Sequence, residues 1–339
     1  MFRPIAHLFV RVGFVTMTSV MRAAVIYKSG ASPSIQDFPD PAATESELLI
    51  TVLAASLKPV DKQLAAGTHF ASPREFPVIC GTDGVGRLPG GSRVFFGGPR
   101  RPYGSFAERT VVRLEQCFPI PDNLDDATAA AVPNPGVSAW LSLSHRAELR
   151  PGETVLILGA TGVTGRLAVQ IAKILGASRV VAAGRNPETL ASLAELGADA
   201  TISLNQSPES LIAAFRRENS ERRFDVIIDY VWGAPAEALL AALTEREFIL
   251  SSSEARFVQV GESAGATIQL SAAALRSAAL TLMGTAGVPS MDVVSAALKQ
   301  VLDHAREGCL RIETEQLPLS QLEAAWNRPS GSRRLVFRP

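Results

Sequence analysis

The chain carries LGATGVTG at residues 158–165, with about 150 residues before it. It follows the apolar run TVLILGA, which reads as a buried strand, and precedes RLAVQIAKIL, whose apolar residues recur at helical spacing. Gly159, Gly162 and Gly165 therefore fall as GxxGxxG on a strand-to-helix junction. One glycine permits the tight turn, one lets a ligand approach the backbone, and one lets helix and strand pack closely. The helix N-terminus beyond them offers free N–H groups and the positive end of a dipole to a pyrophosphate. The turn is expected to cradle a dinucleotide, with Thr161, Val163 and Thr164 among its contacts. The plainer alternative is a tight structural turn.

The stretch after the turn favours the cradle. SRVVAAG reads as a second strand and PETLASLAEL as a helix, with Pro187 in its first turn and Gly197 just past its end. ADATISL, PESLIAAFRR and FDVIIDYV continue the alternation, and FVQVG and ALTLMG add two strands. Such alternation implies a doubly wound parallel sheet. An NAD-binding unit places an acid at the end of the second strand, against the ribose 2′-hydroxyl. Here that end reads Gly184, Arg185, Asn186. With no acid and an arginine able to clamp a 2′-phosphate, the expected cofactor is NADPH. Val260 and Gly261 end a later strand at the carboxyl edge of the sheet, where ligands bind. Ser138, in GVSAW, is expected to reach the nicotinamide end. Asp225 and Asp229 flank a strand and read as structural, while His145 and His304 fall in helical patterns and read as surface residues.

Residues 21–124 look different: short alternating runs such as AAVIY, GSRVFF and SFAERTVV, broken by Gly and Pro, suggest a β-rich lobe. Asp125–His145 reads as helical, with a break at Asn134-Pro135-Gly136. After 287 come one strong helix pattern, VVSAALKQVLDHAREG, a shorter one and the strand RRLVF, which are expected to return to the first lobe. The formal net charge of zero, without a basic block, argues against a nucleic-acid partner. No segment is long and apolar enough for a transmembrane span. Cys80, Cys117 and Cys309 are odd in number and far apart, which suits a reducing compartment and excludes a four-cysteine zinc lobe. A cytoplasmic location is expected. Residues 1–20 hold Arg3, Arg11 and no acid, so they read as an extension from a misassigned start, a disordered arm or a mitochondrial targeting peptide.

GATGVTGR also resembles atypical short-chain dehydrogenases, but those place the turn near the N-terminus and use a Tyr-x-x-x-Lys pair. Tyr27, Tyr103 and Tyr230 have no lysine four residues on. From Met21 onward the chain instead resembles the zinc-free quinone oxidoreductase branch of the medium-chain dehydrogenase/reductase superfamily. MRAAVIYKSG, AASLKPVDKQLAAG, FPVICGTDGVGRL, YGSFAE, NPGVSAWLSL, GETVLILGATGVTGRLAVQIAKILGA, FVQVGESAG, LPLSQLEAAW and GSRRLVF carry the likeness in order. The resemblance implies an α/β protein with a GroES-like β-barrel catalytic domain at 21–124 and 288–339. A Rossmann cofactor domain at 125–287 would be inserted between these parts, and the assembly would be a homodimer.

Zinc-dependent relatives place a cysteine where this chain has Leu57 or Lys58, and a His-Glu pair where it has Phe70 and beyond; no catalytic metal is expected. Without a Lewis acid, hydride transfer to a conjugated acceptor is easier than to a simple carbonyl, because charge spreads to a distant oxygen. The expected substrates are quinones or α,β-unsaturated carbonyls. By resemblance Lys58, Gln63 and His69 line the cleft, Lys58 where the branch often has asparagine and the other two where some members have tyrosine. Lys58, His69 and Tyr103 are the catalytic candidates. Their departure from the branch pattern leaves a second reading, an NADPH-binding redox sensor or structural protein with little turnover.

Overall fold

The computed structural model describes residues 19–244, 254–285, 290–329, 331 and 333–339. The expectation for residues 1–20 lies outside them except at its last two positions. The first lobe runs through β1 (Val20–Ile26), β2 (Ser34–Pro39), β3 (Glu47–Ser56), α1 (Pro59–Ala66), β4 (Val78–Ile79), β5 (Asp83–Arg87), β6 (Arg93–Gly97), β7 (Arg109–Arg113) and β8 (Cys117–Pro119). β1 pairs with β2 and β4, while β3 bridges β5 and β7 in a second sheet. A single bridge, Ala23 to Ala107, joins the two sheets, so the barrel-like lobe is not a continuous ring of hydrogen bonds among the described strands.

α2 (Asp126–Ala131) and α3 (Pro133–Leu141) then lead into the second lobe. The break expected at Asn134-Pro135-Gly136 lies at Val132, two residues before Asn134. Pro133 starts α3, and Pro135 sits in its first turn, where the missing N–H costs nothing. Gly136 belongs to the helix because its face meets another helix: a Cβ there would lie 2.7 Å from Cγ1 of Val301.

The second lobe comprises β9 (Thr154–Leu158), α4 (Val163–Ile174), β10 (Arg179–Gly184), α5 (Pro187–Ser192), β11 (Ala200–Ser203), α6 (Pro208–Glu221), β12 (Val226–Asp229), α7 (Gly233–Leu243), β13 (Ala255–Gln259), α8 (Ala272–Ser277) and β14 (Leu280–Gly284). Its six strands are parallel in the order β11-β10-β9-β12-β13-β14. All five residues of β9 are buried, as befits a central strand covered on both faces. α9 (Met291–Arg306), β15 (Thr314–Pro318), α10 (Leu322–Ala325) and β16 (Arg334–Arg338) end the chain. β16 pairs antiparallel with β3, Phe337 opposite Ala55, so the C-terminal strands return to the first lobe's sheet.

Candidate active site

The register of the parallel sheet puts the sequence-predicted cofactor residues on one edge. Leu158 pairs with Ala183 on one side and with Asp229 on the other, and Asp229 pairs with Gln259. Gly184, Gly159, Tyr230 and Val260 each lie one residue past that line. Gly159 has φ +83, and a Cβ there would meet Val231 Cγ1 at 2.8 Å. At Gly165 a Cβ would lie 2.3 Å from the Gly159 carbonyl oxygen, so only glycine lets the start of α4 rest on the strand end. Gly162, the N-cap of α4, is exposed and supplies no side-chain cap. The first N–H groups of α4, those of Val163, Thr164 and Gly165, have no intrahelical acceptor and lie at the carboxyl edge of the sheet. Thr161 folds over Gly184, where a Cβ would meet its Cγ2 at 2.3 Å.

Arg185 is exposed, and among the described residues its guanidinium makes no hydrogen bond or ion pair; only its carbonyl is engaged, by Asn205 Nδ2 at 2.8 Å. Asn186 has a local job, since its Oδ1 caps α5 by accepting from Thr189 N at 2.8 Å. Val260 and Gly261 both donate to the Asp229 carbonyl, at 2.8 and 3.1 Å. Ser138 is half-buried on α3, which packs against α4. The glycine turn, Gly184, Arg185, Val260 and Gly261 thus share one carboxyl edge, with Ser138 on a helix beside it.

Asp229 proves to shape that edge. Its Oδ1 accepts from Val231 N at 2.7 Å and Trp232 N at 2.9 Å, while Oδ2 is buried without a partner among the described residues. Those bonds hold Trp232 at φ 55, a left-handed conformation that costs a non-glycine residue about 1–3 kcal/mol. Burial pushes the Asp229 pKa up to about 6, against the two N–H donors, which lower it.

The first lobe holds a buried charge cluster where β3 meets α1. Lys58 is 1% exposed. Its Nζ donates to the Ser56 carbonyl at 2.9 Å and Asp83 Oδ1 at 2.9 Å, and lies 3.1 Å from Asp61 Oδ2. Asp61 Oδ2 also accepts from Lys58 N at 2.9 Å, closing the capping box of α1, and Thr82 donates its hydroxyl to Asp61 Oδ1 at 3.1 Å. Arg334, brought in by β16, is buried beside the cluster and donates from Nη1 to the Leu57 carbonyl at 3.0 Å. Burial alone would lower the Lys58 pKa; the Asp61 and Asp83 carboxylates outweigh it and hold the ammonium charged. Burial dominates at Asp83 and raises its pKa despite Lys58. An ammonium has three protons, and here three internal acceptors face them. In this structure Lys58, a catalytic candidate from sequence, is an internal cation engaged by Ser56, Asp61 and Asp83.

His69 and Tyr103 are not brought together with Lys58 by any hydrogen bond or ring contact among the described residues. His69 lies on the loop after α1; its Nδ1 accepts from Ala71 N at 3.2 Å, and its ring packs on the 96% exposed Phe70. Tyr103 donates its hydroxyl to the Asp40 carbonyl at 3.3 Å and sets its ring edge-on to Phe38. Gln63 is exposed on α1. Between His69 and Tyr103 in sequence, a cleft of about 660 Å³ is lined by Phe70, Phe76, Pro77, Arg101 and Pro102 among others.

With this geometry in view, comparison with known proteins is informative. A family model described as zinc-binding dehydrogenase matches residues 163–304. The 2-methylene-furan-3-one reductase of Solanum lycopersicum is 32% identical over 208 residues, covering 55% of this chain and 50% of that protein. The chloroplastic NADPH-dependent alkenal/one oxidoreductase of Arabidopsis thaliana is 31% identical over 209 residues, covering 56% and 51%. The match to this chain thus spans about half the length of each. The quinone oxidoreductase of Thermus thermophilus, solved also in complex with NADPH, superposes with a TM-score of 0.76 at 29% identity, over 94% of this chain and 100% of that one. These likenesses are to reductases of the kind that the sequence resembles, the zinc-free quinone oxidoreductase branch of the medium-chain dehydrogenase/reductase superfamily.

Within that superfamily a zinc would need donor side chains near Lys58. The residues present do not fit one: Leu57 offers no lone pair, and the Lys58 ammonium already stands between Asp61 and Asp83 as the local cation. Sequence reasoning singled out Lys58 but missed Asp61, Asp83 and Arg334. The one available signal was Lys-Pro-x-Asp, a helix start with an acid at its third position.

Proposed function

We propose that this chain is a member of that branch, an NADPH-dependent oxidoreductase that passes hydride to a quinone or to the β-carbon of an α,β-unsaturated carbonyl. The observation that carries the cofactor choice is the unpaired Arg185 guanidinium at the end of β10, where no acid faces the ribose. When bound, NADPH supplies the hydride. The chain's residues bind and orient it: the α4 N-terminus faces the pyrophosphate, Gly165 and Gly184 leave room for close packing, and Arg185 pairs with the 2′-phosphate. Ser138, Thr161, Val163, Thr164, Val260 and Gly261 complete the proposed contacts. Lys58 acts as a positioning residue that fixes the end of β3 and the start of α1. His69 is the remaining candidate to contact the substrate oxygen, since its Nδ1 accepts from Ala71 N and leaves Nε2 to face a ligand. The relatives' names, alkenal/one and quinone oxidoreductase, support the substrate class.

The test of the cofactor reading is binding. Arg185→Ala is expected to weaken NADPH roughly ten- to hundred-fold, the value of a charge-assisted pair, and to leave NADH unchanged. An unchanged NADPH affinity would remove the assignment. A second reading, an NADPH-binding sensor or structural protein with little turnover, draws support from Lys58 and Tyr103 being engaged internally.

We also place the domain division at 21–124 with 288–339 and at 125–287, supported by the pairing of β16 with β3. A homodimer is supported by β14, an edge strand paired only with β13 among the described strands, whose Leu280, Leu282 and Met283 are half-buried. No helix of the described residues is long and apolar enough to cross a membrane. We propose a reducing compartment, cytoplasmic or, if residues 1–20 target it, mitochondrial, on the strength of the three unpaired cysteines.

A further inference from the structure

We infer that the C-terminal end of α9 is a binding site for a zinc-class metal ion, held by His304, Glu307 and Cys309. A ring nitrogen of His304, a carboxylate oxygen of Glu307 and Cys309 Sγ all lie within 4.8 Å of one another. Among the described residues no other group of three His, Cys, Asp or Glu side chains is so placed.

The local fold builds this cluster. His304 and Glu307 are three residues apart and so share a helix face. Gly308, at φ +73, turns the chain back, and Leu310 N bonds the His304 carbonyl at 3.0 Å. Leu310, only 1% exposed, anchors the turn, which carries Cys309 back over the last helical turn. The His304 ring is not the surface residue expected from sequence: it stacks on Trp140 of α3, ring centres 5.6 Å apart and planes 26° apart. That stacking fixes the plane of the imidazole.

Two further observations point to a ligand. His304 Nδ1 is buried and has no hydrogen-bond partner among the described residues; Glu307 Oε2 faces it at 3.9 Å, too far to bond. The other oxygen, Glu307 Oε1, is held by Arg306 at 2.9 Å, which leaves Oε2 turned to the imidazole. An imidazole, a thiolate and one carboxylate oxygen form a borderline-soft set that suits Zn²⁺ and not the all-oxygen preference of Mg²⁺ or Ca²⁺. Bond lengths near 2.0–2.3 Å imply ligand atoms roughly 3.3–3.8 Å apart in a tetrahedron. The exposed Glu307 and Cys309 side chains reach that spacing by small rotations, and water completes the shell. On binding, the Cys309 thiol gives up its proton to solvent, with no change in oxidation state. The site lies outside the proposed reaction centre, but α3 links it to α4 and Ser138.

The test is a titration of the full-length, untagged chain, kept reduced, with Co²⁺ as a spectroscopic probe and Zn²⁺ as competitor. One Co²⁺ per chain is expected. It should give a near-ultraviolet thiolate charge-transfer band and tetrahedral visible bands, all lost on adding Zn²⁺, and quench Trp140 fluorescence. Cys309→Ser should abolish the charge-transfer band, and His304→Gln should weaken binding at least tenfold, while both retain NADPH binding. No stoichiometric binding, or a band that survives Cys309→Ser because Cys117 or an adventitious site supplies the thiolate, would overturn the inference.

Discussion

The two lobes meet the proposed active site by opposite means. At the edge of the parallel sheet the site is made by leaving side chains out: Gly159, Gly165 and Gly184 sit where any Cβ would strike a neighbour within 3 Å. Where β3 meets α1, the other lobe instead fills its interior with Lys58, Asp61, Asp83 and Arg334. The first arrangement is neutral and backbone-built, ready for an anion. The second is closed on itself, because Lys58 pairs with Asp61 and Asp83 and Arg334 bonds the Leu57 carbonyl. One edge can therefore accept a charged ligand, while the other holds the chain's own charges in place.

That contrast is broken most strongly at Lys58. Lys58→Ala leaves two buried carboxylates without their cation and is expected to cost about 3–5 kcal/mol in urea unfolding. The double variant Lys58→Met with Asp83→Asn should recover part of that loss. If Lys58→Ala costs under 1 kcal/mol, the cluster does not hold the lobe together.

The next effect in size belongs to Asp229, the one buried acid at the neutral edge. Its pKa is raised from 3.8 to about 6, so the fold prefers its protonated form. The contribution is fully present below the unfolded value and is lost as pH rises through about 6, a swing of at most about 3 kcal/mol. Asp229→Asn removes this titration. Its Tm relative to the unaltered chain should therefore rise between pH 4 and pH 7. A Tm difference that stays flat over this range would contradict the burial argument.

Gly165→Ala sharpens the other side of the comparison. A Cβ 2.3 Å from the Gly159 oxygen must displace α4, at about 1–3 kcal/mol and with at least a tenfold weaker NADPH affinity. Gly90→Ala, with nothing within 4 Å of its added Cβ, is the control and should change neither.

The same contrast explains what could be read from sequence. The cradle is local: Gly159 to Gly165 spans seven residues, and Gly184 and Arg185 follow at the end of the next strand. Strand, turn and helix announce themselves by periodicity. Lys58 meets Asp83 across 25 residues, and Arg334 reaches Leu57 across 277. No spacing rule shows such partners, so Lys58 read only as a lysine beside the cleft. The bond of Tyr103 to the Asp40 carbonyl was hidden for the same reason, since Asp40 lies on the chain after β2. At α3, the helix rules placed the break two residues late because Gly136 answers to Val301, which is remote in sequence.

The central claim is NADPH-dependent hydride transfer to a conjugated acceptor without a catalytic metal. It is tested most directly by following NADPH oxidation with 9,10-phenanthrenequinone and a set of enones and alkenals, after exhaustive treatment with a chelator. Turnover that survives chelation and strongly favours NADPH over NADH is the expected result. Tight NADPH binding with no oxidation by any acceptor would contradict it and leave a cofactor sensor in its place.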